Sequence, residues 1–200
     1  MKYCYLDTET TGLSVDKHEV IEIAIVTEHG DGTIERWESK ISPAHIETAH
    51  PKALEINGYT PEAWTDAPTP SEVAPTIHEK LAGAVVVGHN VGFDIKFIQA
   101  LFEREGIDHR WNHRNTIDTI TLVREHLFPT GLKSASLDST RRWLGWSLEG
   151  AHTALQDAED CMRLRHTLER SSWLRRRLWA FQGPRRMTRC PDGRNPIVAS

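Results

Sequence analysis

Four short runs rich in β-branched and aromatic residues fall within the first 88 positions, and the apolar spacing beyond them is helical. The runs cover residues 2–6, 20–27, 33–41 and 84–88, and each reads as a strand. Gly30-Asp31-Gly32 is a turn signal between the second and third, so the first three runs form a meander in the simplest arrangement. The fourth is followed at once by a helical pattern over residues 90–105, with Phe97, Ile98, Leu101 and Phe102 on one side. Further helices are expected at 71–81, where Ser71 could cap and Pro75 disturbs the pattern, at 118–127 behind a capping Asp118, and at 134–144 and 154–170. Pro43, Pro51, Pro61, Pro68 and Pro70 break residues 43–70 into loops and short helical turns. Strands early and helices late indicate an α/β chain with helices packed on a sheet. No internal repeat is visible.

The 200 residues, 38% hydrophobic and 26% charged, fit one compact domain with a modest appendage and exclude wholesale disorder. No apolar stretch approaches the roughly 20 residues that span a bilayer, so no membrane partner is expected. The apolar run before Asp7 is too short for a signal peptide. Cys4, Cys161 and Cys190 are too scattered for a disulfide framework or a zinc site, which favours a reducing, cytoplasmic location. The net charge of −4 conceals a division. Residues 1–162 hold 14 Lys and Arg against 26 Asp and Glu, whereas residues 163–200 hold ten Arg against only Glu169 and Asp192. An acidic body of this kind repels nucleic acid as a whole but suits a site that holds cations, with the basic end available to phosphates.

The placement of certain carboxylates sharpens that reading. Asp7 and Glu9 follow directly on the first apolar run, and two residues apart in extended chain they point to the same side. Their repulsion needs an offset, which a divalent cation would supply; two exposed acids in a loop are the plainer alternative. Asp94 lies on the apolar stripe of its helix with Phe97, Ile98 and Leu101, so it is either partly buried toward a ligand or a helix-start acid favoured by the macrodipole. Asp157 shares a stripe with Ala154, Cys161, Leu164 and Leu168, while Glu159 and Asp160 fall on the polar side. Unpaired buried carboxylates are costly enough that three such placements in one chain imply an all-oxygen cluster suited to Mg²⁺ or Mn²⁺. His152 lies five residues before Asp157, off its helix face; from a loop after Gly150-Ala151 it can reach the same place and accept a proton from a metal-bound water, although a lone histidine is more often structural.

At this point the residues resemble a known family. The segment Leu6-Asp7-Thr8-Glu9-Thr10-Thr11-Gly12-Leu13 is similar to the first motif of the DEDD superfamily of 3′-5′ exonucleases. Gly88-His89-Asn90-Val91-Gly92-Phe93-Asp94 is similar to the second, and Ala151-His152-Thr153-Ala154-Leu155-Gln156-Asp157-Ala158 to the third, in the histidine form. That subclass includes the proofreading subunit of bacterial replicative DNA polymerase, ribonuclease T and oligoribonuclease. The resemblance spans roughly residues 2–170 and implies a ribonuclease H-like α/β fold, with a central mixed five-stranded sheet flanked by helices. It implies that Asp7, Glu9, Asp94 and Asp157 bind two divalent ions, with Asp7 bridging them and His152 as general base. Thr8, Thr10 and Leu13 would flank the terminal nucleotide, and Asn90 and Phe93 the penultimate one. Asp118, in Thr116-Ile117-Asp118-Thr119, is read as structural support or a helix cap. The segment from Ala53 to Pro61 is similar to a stretch that packs beside the active site in proofreading members, with Asn57-Gly58-Tyr59-Thr60 departing slightly.

The expected activity is therefore hydrolysis from the 3′ end of single-stranded DNA, releasing nucleoside 5′-monophosphates. RNA, as for ribonuclease T or oligoribonuclease, is the alternative substrate, and a catalytically silent nucleic-acid-binding module is the alternative class. Association with a polymerase or other replication or repair partner would be in trans. Residues 1–170 form the expected exonuclease domain. Residues 171–200 form a basic extension, helical over about 171–181 and disordered from Gly183, where Gly, Pro and Arg dominate. Its Trp173, Leu174, Leu178, Trp179 and Phe181 interleave with Arg175, Arg176 and Arg177, and Arg185, Arg186 and Arg189 extend the positive charge. Such a segment contacts nucleic acid, packs on a partner or on its own domain, or is incidental.

Overall fold

The computed structural model describes residues 1–111, 115–148 and 153–188. Five strands, β1 (Tyr3–Thr10), β2 (Val20–Glu28), β3 (Ile34–Lys40), β4 (Val85–Gly88) and β5 (Thr116–Asp118), form one sheet in the order β3-β2-β1-β4-β5. The β1–β2 and β2–β3 pairs are antiparallel, and the β1–β4 and β4–β5 pairs are parallel. This is the expected mixed sheet. Seven helices are described: α1 (Pro51–Ile56), α2 (Pro70–Leu81), α3 (Val91–Arg104), α4 (Thr119–His126), α5 (Leu137–Leu144), α6 (Ala154–Glu169) and α7 (Trp173–Thr188). None of them is long and apolar enough to cross a membrane.

The described residues fall into two compact units, 1–118 with 153–162 and 119–148 with 163–188. In the first, β1 is central, and Cys4, Tyr5 and Leu6 are fully buried. Its side chains alternate between two apolar layers. Cys4 and Leu6 join Val73, Ile77, Phe97, Ile98 and Phe102 from α2 and α3. Tyr5 joins Ala24, Val26 and Val87 with Ala154, Ala158 and Cys161, three small side chains on one face of α6 that let the helix approach the sheet closely.

Four local findings depart from the sequence reading. First, β1 continues to Thr10 instead of ending at Leu6, because β2 pairs with it as far as Thr10↔Val20, with a bulge between Glu9 and Thr10. Asp7 and Glu9 are therefore strand residues, not loop residues. Second, α2 starts at Pro70 and is capped from Thr69, not Ser71. The Glu72 carboxylate accepts the Thr69 amide at 2.7 Å and its hydroxyl at 2.8 Å, and the helix runs on through Pro75. Third, Thr116–Asp118 forms a short strand beside β4 that the pattern does not mark, although α4 begins at Thr119, directly after Asp118, as expected. Fourth, α7 does not stop near Gly183 but stays helical to Thr188; residues 189–200, Arg189 among them, lie outside the described residues.

That last difference has a packing cause. In the second unit, Val123, Leu127, Leu132, Leu137, Trp143, Leu144, Leu164, Leu168 and Trp179 form a core. Gly183 lies flat against the Trp143 indole, where a Cβ would come within 2.2 Å of ring atom Cε2. Arg186 donates to the Trp143 carbonyl at 3.1 Å, and the Trp143 Nε1–H donates to Thr130 Oγ1 at 3.1 Å. Tertiary contact thus carries the helix past a Gly-Pro pair that would break an isolated segment.

Candidate active site

The parity of β1 decides what each of its residues can reach. Asp7 and Glu9 follow Tyr5 on the face toward α6. Thr8 follows Cys4 and Leu6 on the face toward α3. Pairing of β1 with β4 covers only Tyr3–Tyr5, because the chain leaves β4 at Gly88 to enter α3. Gly88 makes that exit over the Leu6 carbonyl, where a Cβ would sit at 3.0 Å from the oxygen. Beyond this point the Thr8 amide has no strand partner on that side. Asp94, in the first turn of α3 and 4% exposed, takes it: Oδ1 accepts the Thr8 amide at 3.0 Å and the Thr8 hydroxyl at 2.7 Å.

The start of α3 is held by a second carboxylate. Asp118, at the end of β5, accepts the Asn90 amide at 3.1 Å. Asn90 itself adopts φ 69°, the left-handed conformation that only a few non-glycine residues tolerate. Asp118 thereby acts as the structural support expected of it and fixes the helix that delivers Asp94.

The electrostatics show which acids face one another. Burial, then the negative charges of Asp157, Glu22 and Asp94, push the Glu9 carboxyl up to about 8. Burial pushes Asp94 up to about 7; the Thr8 hydrogen bonds oppose this and the charge of Asp118 adds to it. Acids from β1, α3 and α6 thus share one low-dielectric region. Their donor chemistry is all oxygen and their mutual charge favours a cation. Among the described residues, however, no three His, Cys, Asp or Glu side chains stand close enough to hold a metal ion, so the fit is one of charge and donor type and supplies no coordination geometry.

Glu22 was not anticipated. It pairs directly across from Glu9, is pushed upward mainly by burial, and accepts the Ala154 amide at the start of α6 at 3.4 Å. Its signal in the sequence was an acid inside the otherwise apolar run Val20-Ile21-Glu22-Ile23-Ala24-Ile25.

The expected nucleotide-flanking residues are arranged as follows. Thr10 donates its hydroxyl to the Gly12 carbonyl at 2.7 Å. Leu13 is 85% exposed on the loop after β1. Phe93 is half-buried, with its ring centroid 4.8 Å from that of Phe97, and Asn90 is exposed. Two ties bring the segment around α1 to the end of β1: Asn57 Nδ2 donates to the Thr10 carbonyl at 2.9 Å, and the His50 amide to the Thr11 carbonyl at 2.7 Å. His152 lies outside the described residues.

Residues 4–164 match the family model described as "RNase_T: Exonuclease". A DNA polymerase III PolC-type protein of Bacillus cereus is 36% identical over 157 residues, which are 78% of this chain and 10% of that protein. A DNA polymerase III subunit epsilon of Aquifex aeolicus is 34% identical over 157 residues, 78% of this chain and 74% of that protein. The chain thus spans about a tenth of the PolC-type relatives. A crystal structure of E. coli Exonuclease I in complex with a dT13 oligonucleotide superposes with a TM-score of 0.73 at 20% identity, covering 84% of this chain and 41% of that one. At that identity the likeness speaks for the fold.

Proposed function

Since this chain belongs to the exonuclease family that its residues 4–164 match, we propose that it is a metal-dependent 3′-5′ exonuclease that removes nucleoside 5′-monophosphates from the 3′ end of single-stranded DNA. The observation that carries the reading is the family match over residues 4–164 together with the placement of Asp94, which is bonded to Thr8 between the two acids of β1. Burial and the charges of Asp157, Glu22 and Asp94 push the Glu9 carboxyl up to about 8, a setting that suits a counter-charge. The names of the relatives, DNA polymerase III subunits, and the dT13 complex of the structural neighbour favour DNA over RNA and a single strand over a duplex.

In this proposal Asp7, Glu9, Asp94 and Asp157 hold two Mg²⁺ or Mn²⁺ ions. Such ions supply positive charge to the scissile phosphate and acidify the attacking water. The chain's own groups do the rest. Thr8 clasps one Asp94 oxygen with two donors and so fixes the orientation of that carboxylate. Leu13, exposed on a loop pinned by Thr10 and Asn57, offers an apolar surface to the terminal base, and Thr8 and Thr10, both buried, support that end of the strand from within. Asn90 and Phe93 lie beside the penultimate nucleotide. His152 takes the proton from the attacking water. Apolar contact with base faces discriminates little between bases, so broad sequence tolerance follows. A polymerase or another replication or repair protein is the proposed partner in trans.

The test incubates the protein with Mg²⁺ or Mn²⁺ and 5′-end-labelled single-stranded DNA, duplex DNA and RNA of one sequence. The expected result is a ladder of shortening labelled products, fastest on single-stranded DNA. A faster ladder on RNA would reassign the substrate to the ribonuclease T or oligoribonuclease kind. Failure to hydrolyse any of the three would leave a silent binding module. Asp7→Asn and Asp157→Asn should each nearly abolish hydrolysis, and His152→Ala should slow turnover; substantial activity in both aspartate variants would overturn the site.

A further inference from the structure

Helix α7 presents an unusual surface. Trp173 is 65% exposed, Leu174 71%, Leu178 49% and Phe181 61%, all on a helix whose other side is already docked. Trp179 is buried in the core of its own unit, Gly183 lies on Trp143, Arg186 is bonded to the Trp143 carbonyl, and Arg176 Nε donates to Ser171 Oγ at 3.1 Å. Residues 173, 177, 181 and 185 advance by about 40° per four-residue step and so form one row on the open side. Along that row rings and cations alternate. The Arg177 guanidinium lies 4.8 Å from the Trp173 ring centroid, and the Arg185 guanidinium 3.8 Å from that of Phe181. The two stacked pairs repeat after eight residues, about 12 Å along the axis.

We propose that this face of α7 binds single-stranded nucleic acid, with Trp173 and Phe181 stacking on bases and Arg177 and Arg185 contacting phosphates. The inference rests on the nuclease reading above for the identity of the polymer. Residues 173–188 contain no acid, and Arg177 and Arg185 stand on the open row, so the face complements a polyanion. A second copy of the chain docking through the same face would set arginine against arginine, which is unfavourable. A helix lying on a lipid surface segregates its apolar and basic residues onto opposite faces, whereas here they alternate on one. Aromatic rings bordered by guanidinium groups are the arrangement that binds bases and backbone together without reading sequence.

The test uses the full chain with a fluorescent oligothymidylate in chelator, which prevents hydrolysis, and measures affinity across a salt series. Trp173→Ala with Phe181→Ala should weaken binding at least about tenfold if both rings stack on bases. Arg177→Gln with Arg185→Gln should reduce the slope of log affinity against log salt by about 1.4, and Arg177→Lys with Arg185→Lys should restore it. All these side chains are exposed, so unchanged melting temperatures serve as the control for folding. Unaltered affinity and slope in both neutralising and truncating variants would overturn the proposal while leaving the nuclease reading intact. So would variants that change sedimentation but not oligonucleotide binding, since the face would then be a contact between copies. A wild-type chain that neither binds nor hydrolyses the oligonucleotide would overturn both.

Discussion

Replacing Glu9 by Gln should make the protein held in chelator more stable at alkaline pH and leave it nearly unchanged under mildly acidic conditions. Folded, the Glu9 carboxyl binds its proton up to about 8; unfolded, it releases it near 4.5. The folded state therefore holds a proton that the unfolded state gives up, and the associated stability is lost as pH rises from about 4.5 through 8. A rise of this size, at 1.36 kcal/mol per pH unit, sets a ceiling of roughly 5 kcal/mol. Water and side-chain relaxation around a partly buried group reduce it, and about 2–4 kcal/mol is the expected difference. Glutamine carries no charge at any pH and escapes the loss. Urea denaturation of both proteins at pH 5 and pH 8.5 measures the effect, and taking the difference between them cancels the many histidines that titrate in the same window. Saturating Mn²⁺ should abolish much of the advantage of the variant at pH 8.5, because the cation stabilises the ionised carboxylate. A stability gap between the two proteins that stays constant from pH 5 to pH 8.5 would refute the argument.

Three other substitutions test the supports of the site and the second core. Thr8→Val removes the hydroxyl bond to Asp94 and keeps the amide bond, and should cost about 1.5–3 kcal/mol in denaturation because the acceptor is a carboxylate. Gly183→Ala pits a helix-propensity gain of about 1 kcal/mol against overpacking on Trp143 that costs about 1–3 kcal/mol. A lowered melting temperature is expected, and a raised one would show that Trp143 yields. Asn90→Ala should cost about 1–2 kcal/mol through the left-handed backbone, whereas Asn90→Gly should be close to neutral by the same measurement.

Much of this architecture was legible in the chain because it is locally encoded. Alternation alone puts Asp7 and Glu9 on one side, and the stripe of Phe97, Ile98 and Leu101 marks Asp94 as inward-facing. What escaped was set by partners distant in sequence. The polar stretch after Leu6 becomes strand only because β2 supplies the pairing, and the three residues of β5 are too few to show a period. Glu22 reads as an oddity in an apolar run until the register sets it across from Glu9. The Gly-Pro pair in α7 signals a break, and only the Trp143 surface explains why the helix persists. The Thr8–Asp94 clasp has no sequence signature at all, since it exists only where β4 gives out.

Because β1 serves two layers at once, its length is constrained modulo two. Deleting one residue between Tyr5 and Thr8 would turn the acids toward α3 and send the threonine that grips Asp94 to the opposite side, so both halves of the arrangement would fail together. Deleting both Leu6 and Asp7 would restore the facing of Thr8 and Glu9 but would remove one of the acids outright. The packing of a shortened strand, as distinct from its chemistry, is thus expected to tolerate an even trimming better than an odd one, an inversion of the usual rule that smaller lesions do less harm.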